Sequence, residues 1–325
     1  MTNATISTPA RGTLAGHLAI ARLDHWSKNV FVLPGVVAAL ALNPTANTSG
    51  LASRFVLGVL SVCLISSSNY TLNEIVDAPF DLYHPDKRHR PVPSGRVNLP
   101  LGYLQWLVLA AAGAALGLKI GAAFSASVAA LWVMGCGYNL RPLRTKDVPY
   151  LDVLTEAINN PLRLLAGWYI VDARVFPPAT LLLSYWMVGC YFMAIKRFAE
   201  CRQLGNGPQR SAYRRSLAFF TPERLLTTVM FYGAAAMLFF GAFIMRYRLD
   251  LIISFPLVAL VMAMYLRLAF RPGSAAQHPE KLYREPALMV AVCVCALVMG
   301  LLLFVHVPLL DTLFPPTVPT ADWTR

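Results

Sequence analysis

Charge is what this chain has least of. Only 14% of its 325 residues are Asp, Glu, Lys or Arg, against about 25% in soluble globular domains. That deficit, with 57% hydrophobic residues and a mean hydropathy of +0.54, excludes an ordinary water-soluble domain. Acidic residues are scarcer still, 16 against 28 Lys plus Arg, giving a formal net charge of +12. The six cysteines show no metal-ligand spacing and mostly fall in apolar runs, so buried free thiols are expected rather than a zinc site. Low-complexity linkers and short-period repeats are missing too. The first fifteen residues lack the charged-then-apolar order of a cleaved signal.

Long apolar runs are plentiful. Segments near 29–43, 53–75, 101–118, 120–138, 150–171, 178–198, 224–246, 250–270 and 286–310 each approach the length that spans a bilayer. They predict an all-α, multi-spanning membrane protein of about nine helices. The first run is short, and the fifth carries Asp152, Glu156, Asn159, Asn160 and Arg163. One intramembrane domain over 21–310 is expected, with a polar tail over 1–20 and a proline-punctuated tail over 311–325.

Lys and Arg placement orients the bundle. Only Arg54, Lys119, Arg174, Arg246, Arg248 and Arg325 fall on one side, and Arg163 lies within the fifth run. The rest sit in the N-terminal segment and in loops near 76–100, 139–149, 196–224 and 267–285. These are expected to be cytoplasmic in a bacterial inner membrane, with the C-terminus external. The charge thus faces the lipid bilayer and anionic substrates, and a nucleic-acid partner is not expected.

Four charged segments carry the chemistry. In Ser66–Gly95, Asn73, Asp77 and Asp81 recur every four residues, along one face of a helix leaving an apolar run. Three oxygen-bearing side chains there suit Mg²⁺, which takes few protein ligands and fills its shell with water and phosphate oxygens. Lys87, Arg88, His89 and Arg90 follow, suited to phosphate and stiffened by Pro85, Pro91 and Pro93. Pro79 interrupts the ladder and predicts a kink that moves Asp81 off the shared face.

Before the first run, Trp26 reads as an interfacial belt residue, while Lys28 and Asn29 either snorkel or approach a phosphate. After the fourth come Tyr138, Arg141, Arg144 and Lys146, then Asp152 and Glu156, which serve either as internal partners of Arg163 and the loop cations or in substrate handling. At the end of the sixth, Lys196, Arg197 and Glu200 form either a local ion pair or a phosphate contact.

These residues resemble the intramembrane prenyltransferase superfamily typified by 4-hydroxybenzoate polyprenyltransferase. Asn73-x-x-x-Asp77-x-x-x-Asp81 matches its first aspartate-rich motif, and Tyr138–Asp152 is similar to its loop after the fourth helix. The family implies a lipid-open bundle of two related four-helix halves plus one helix, with a polar cavity capped by cytoplasmic loops. Glu74 departs from the aspartate common there, and Asn159-Asn160-Pro161 from the usual small and apolar residues. Arg22-x-x-x-Trp26-x-Lys28-Asn29, His84-Pro-x-Lys-Arg-x-Arg-Pro91, Lys196-Arg-x-Ala-Glu200 and the loop from Arg210 to Arg224 are similar to the decaprenyl-phosphate phosphoribosyltransferase branch.

That branch implies transfer of 5-phosphoribose from phosphoribosyl diphosphate to a polyprenyl phosphate. The product would lead to a lipid-linked arabinose donor, for a wall polymer or a nodulation signal. In this reading Asn73, Asp77 and Asp81 hold Mg²⁺, with Asp77 and Asp81 catalytic. Lys28, Asn29, Lys87, Arg88, Arg90, Tyr138, Lys146, Asp152, Arg163, Lys196, Arg197 and Glu200 contact the substrates. Family members that use a prenyl diphosphate carry a second aspartate ladder after the sixth helix, where this chain has Lys196, Arg197 and Glu200. The alternatives are prenyl transfer to an aromatic acceptor and a non-catalytic carrier of phosphorylated lipid.

Overall fold

A computed structural model describes residues 12–82, 87–204, 215–271, 273, 275–277 and 279–315. His84, most of the 210–224 loop's first half and the outer parts of both expected tails lie outside the described residues. Within them the chain is helical without strands.

In chain order the helices are α1 (Leu14–Ile20), α2 (Leu33–Leu42), α3 (Leu51–Asp81), α4 (Leu99–Leu118), α5 (Ala122–Asn139), α6 (Leu151–Ala157) and α7 (Asn159–Val171). Then come α8 (Ala179–Leu204), α9 (Arg215–Phe219), α10 (Pro222–Tyr247), α11 (Phe255–Leu268), α12 (Pro286–Leu302) and α13 (Pro308–Leu313). A 3₁₀ segment, Leu23–Val32, leads into α2.

Among the described residues six stretches are long and apolar enough to cross a membrane: Leu14–Leu42, α3, α4, Ala179–Gln203, α10 and Leu249–Leu268. The protein is a multi-pass membrane protein. Three of the nine predicted spans are not among these six stretches: the fourth is α5, of 18 residues, the ninth is an apolar helix of only 17 residues, and the fifth is broken into α6 and α7 at Ile158. The break has a local cause: Pro161, in the first turn of α7, lacks an N–H. Pro79 does not interrupt α3, which runs through to Asp81.

Helix starts follow their caps. Asn98 accepts from the Leu101 N–H ahead of α4, and Thr221 from Arg224 N–H ahead of α10, each with proline in the first turn.

Among the described residues two large packed groups form the bundle, beside a smaller third of Phe240, Phe243, Ile244, Leu251 and Leu302. One joins Val32, Ala39, Val62, Ile65, Phe124, Leu131, Trp168 and Ile170, from α2, α3, α5 and α7. The other joins Val153, Tyr191, Ile195, Phe198, Leu217, Leu225, Val229 and Tyr265, from α6 and α8–α11.

Small residues set the closest approaches, as helices in lipid require. A Cβ on Gly35 would sit 2.0 Å from the Leu164 carbonyl oxygen, and one on Gly167 2.0 Å from that of Val32. α2 and α7 therefore cross backbone on backbone, which fixes Arg163 beside the 3₁₀ segment. Gly189 on α8 likewise makes room for Asn160 at the α6–α7 break.

Candidate active site

The ends of α3, α5 and α8, the starts of α6 and α10, and the segments 87–98 and 140–150 meet at one end of the bundle. That charged end holds most of the ionisable residues singled out from sequence.

The acid ladder is built on the last turns of α3. Asn73 Nδ2 donates to Asp77 Oδ2 (3.1 Å) and to Asn139 Oδ1 (2.7 Å) at the end of α5. Asp77 Oδ1 receives Arg144 Nη2 at 3.1 Å and an ion pair from Lys146 Nζ. Lys146 is itself buried and also donates to Asn139 Oδ1 at 2.7 Å. Asp81 is buried, pairs with Arg90 Nη1 at 2.6 Å, and lies within electrostatic reach of Asp77 and Lys87. The helix through Pro79 thus keeps Asp81 in the same neighbourhood as Asp77.

Asn139 is the contact that sequence reasoning missed, and Arg144, noted there only among the loop cations, was not assigned to the ladder. Asn139 sits beside Tyr138 in the matched loop motif, and that adjacency was the available signal. Arg144 has a left-handed backbone, φ 29°, which costs a non-glycine residue about 1–3 kcal/mol. Its contacts offset that cost: Asp77, Asp147 (2.9 Å), the Asn139 carbonyl (3.1 Å) and the face of Phe80 (4.7 Å).

A second network centres on Arg197. Its guanidinium reaches Asp152 (3.1 Å), Glu156 (2.9 Å) and Glu200 (2.7 Å), and is 1% exposed. Tyr138 donates to Glu156 Oε2 at 2.7 Å, and Ser216 to Asp152 Oδ2 at 3.1 Å. Asp152 and Glu156 therefore pair with Arg197 on α8, not with Arg163. Arg197, expected among substrate contacts, spends its fork joining α6 to α8.

Lys196 differs from its neighbour. It makes no hydrogen bond or ion pair with the described residues, while lying within electrostatic reach of Glu156, Glu200 and Lys87. Lys196 and Tyr185 are surrounded by protein, yet both keep accessible surface. They lie on one face of α8.

Glu74, the departure from the aspartate pattern, is buried and anchors two segments. Its Oε2 takes Arg22 Nη2 (3.0 Å), and its Oε1 takes the Val92 N–H (3.2 Å). Trp26, read as an interfacial residue, instead donates to Ser67 on α3 (2.9 Å). Asn29 and Arg163 meet deeper, at 3.0 Å. Lys28 and Lys87 are half-buried. Arg88 is exposed and turns to His89 (3.1 Å), so the structure does not bring it into the ladder.

Among the described residues no three His, Cys, Asp or Glu side chains form a metal site by themselves. The donors present are two carboxylates and an amide, with Asn73 Oδ1 and Asp81 Oδ1 making no hydrogen bond to the described residues. Hard oxygens in so small a number fit Mg²⁺, whose remaining positions go to water and phosphate.

Residues 31–284 match the UbiA prenyltransferase family. The nodulation protein NoeC of Azorhizobium caulinodans is 27% identical over 69% of this chain and 69% of its own length. A decaprenyl-phosphate phosphoribosyltransferase of Mycolicibacterium smegmatis is 26% identical over 67% of this chain and 66% of its own. Another, from Corynebacterium glutamicum, is 28% identical over 67% and 63%. The chain thus spans about two thirds of the length of these relatives. Among solved structures, a UbiA homologue from Archaeoglobus fulgidus bound to GPP and Mg²⁺ superposes with a TM-score of 0.68. It is 21% identical, over 89% of this chain and 99% of that one, a likeness of fold.

Proposed function

Because the chain belongs to the UbiA prenyltransferase family and is therefore a transferase, we propose that it moves 5-phosphoribose from phosphoribosyl diphosphate to a polyprenyl phosphate. The observation that carries this reading is the asymmetry of the charged end. One acid ladder stands on α3, and the matching place on α8 holds Lys196, an ammonium with no hydrogen bond or ion pair to the described residues, beside an arginine paired to three carboxylates. A single ladder with fixed cations suits two separately phosphorylated reactants, whose mutual repulsion basic side chains must offset. Likeness to two decaprenyl-phosphate phosphoribosyltransferases supports the same choice.

In this mechanism Asn73, Asp77 and Asp81 would hold Mg²⁺, which when bound orients the diphosphate and stabilises its charge as it leaves. Lys146 and Arg144 fix Asp77 and add positive charge beside the leaving group. Arg90 does the same for Asp81, and Lys87 and Lys196, within electrostatic reach of each other, would receive the acceptor phosphate. An acceptor phosphate oxygen forms the new bond to the anomeric carbon as the bond to diphosphate breaks. The acceptor is already anionic at neutral pH, so no general base is needed. Excess basic charge at this end supports reading it as the cytoplasmic side of a bacterial inner membrane, with 21–310 read as one transferase unit. The product would feed a lipid-linked sugar donor, and the likeness to a nodulation protein extends its uses to a lipo-oligosaccharide.

Prenyl transfer to an aromatic acceptor is the competing reading, favoured by the family's name alone. Membranes containing the protein, incubated with labelled phosphoribosyl diphosphate, polyprenyl phosphate and Mg²⁺, separate the two. Labelled lipid should form only when all three are present. Product from prenyl diphosphate and 4-hydroxybenzoate instead would overturn the proposal.

A further inference from the structure

A second polar layer lies below the acid ladder, and the transfer steps above do not use it. Arg163 is 9% exposed within the bundle. Its Nε donates to Asn29 Oδ1 (3.0 Å) and its Nη1 to the Asn159 carbonyl (3.4 Å). Asn29 Oδ1 also receives Ser66 Oγ (3.1 Å), and Asn29 Nδ2 goes to Cys63 Sγ (3.2 Å), a weak acceptor. Every other buried arginine at the charged end pairs with a carboxylate, yet Arg163 meets none among the described residues. A buried guanidinium held only by neutral oxygens bears a desolvation cost that an anion would relieve. Close by, Asn159 Oδ1 is buried and accepts no hydrogen bond. A cation short of an anion thus adjoins an acceptor short of a donor.

Depth narrows the choice of ligand. Ser66 precedes Asp77 by 11 residues of α3, about 16 Å of helix rise. Arg163 leans one turn back towards Asn159, as long side chains on helices do, so its fork lies about two turns, on the order of 10 Å, below the ladder. Tyr185, within electrostatic reach of Arg163, shares its α8 face with Lys196, so one face of α8 runs past both levels.

We propose that Arg163, oriented by Asn29, binds the 5-phosphate of the sugar donor, and that Asn159 Oδ1 accepts a hydrogen bond from a ribose hydroxyl. The donor's diphosphate end then reaches the acid ladder. A pentose bearing phosphates at both ends matches the two levels. A polyprenyl phosphate has no hydroxyl for Asn159, and its phosphate would have to sink two turns below the mouth. This assignment rests on the phosphoribosyl-transfer reading.

The test uses the full-length protein in lipid nanodiscs, with Arg163→Met, Arg163→Lys and Asn159→Ala. KM is measured separately for phosphoribosyl diphosphate and for polyprenyl phosphate, alongside equilibrium binding of labelled phosphoribosyl diphosphate. Arg163→Met should raise the donor KM about 10–100-fold, the loss of one charge-assisted hydrogen bond, and leave the lipid KM within about twofold. Arg163→Lys should recover part of the loss, and ribosyl diphosphate lacking the 5-phosphate should discriminate poorly between wild type and Arg163→Met. A rise in the lipid KM instead, or no change in either, overturns the assignment. If Arg163→Met fails to insert, Arg163→Lys and Asn159→Ala decide by the same readout. Should the wild type bind the donor with Arg163-dependent affinity yet transfer nothing, this site stands and the transfer reading falls; donor binding that ignores Arg163 removes the site alone.

Discussion

Replacing Asp77 by Asn keeps the shape of the side chain and removes one negative charge where two cations converge. Lys146 and Arg144 both address Asp77 Oδ1, and the lysine side chain is only 3% exposed against 15% for the aspartate. Breaking a buried ion pair by removing one partner costs about 3–5 kcal/mol. Because Asp77 keeps some exposure and Lys146 retains Asn139 Oδ1 as an acceptor, we expect the lower end, about 3 kcal/mol. Turnover should fall further, by about 10²–10³-fold, as for loss of one group that stabilises developing charge. The two effects separate in Asp77→Asn combined with Lys146→Met. Removing the stranded ammonium should restore most of the thermal stability in nanodiscs but none of the phosphoribosyl transfer. If the double variant regains most of its activity, Asp77 serves only to neutralise Lys146, and its catalytic role is refuted.

Arg197→Met leaves Asp152, Glu156 and Glu200 without their shared cation, and should destabilise the protein by about 3–5 kcal/mol, seen as lost folded yield and a lower unfolding midpoint. Glu74→Gln weakens the ties to Arg22 and Val92 N–H; about 1–3 kcal/mol should be lost, with faster proteolysis of the loop after α3. Gly35→Ala puts a methyl group against the Leu164 carbonyl and forces α2 from α7, costing about 1–3 kcal/mol, measurable as a lower thermal midpoint. Pro79→Ala should leave the Mg²⁺ dependence of turnover unchanged, since α3 is already continuous through Pro79 to Asp81.

Apolar runs and the four-residue acid ladder were legible in the sequence because each depends on local spacing. The all-helical class and the grouping of Asn73, Asp77 and Asp81 with Lys146 follow from that. Partner choice was not legible. Asp152 and Glu156 had Arg163 and the loop cations as candidate partners in sequence, but α6 packs on α8, where Arg197 meets both. Glu74 read as a conservative departure, and its second oxygen is what lets one residue clamp both the N-terminal segment and the basic loop. Trp26 has the composition of a belt residue, and only the docking of the 3₁₀ segment on α3 reveals its bond to Ser67. Pro79 was expected to move Asp81 off the ladder, yet α3 stays helical through it and Asp81 remains within electrostatic reach of Asp77.

The fate of each part of the donor is the most direct test. Phosphoribosyl diphosphate carrying ¹⁴C in ribose and ³²P on the β-phosphate would be given to the protein in nanodiscs with polyprenyl phosphate and Mg²⁺. The account predicts ¹⁴C in the lipid phase and ³²P released to water as diphosphate. Recovery of ³²P in the lipid, or of no ¹⁴C there while the protein prenylates an aromatic acceptor, would contradict it.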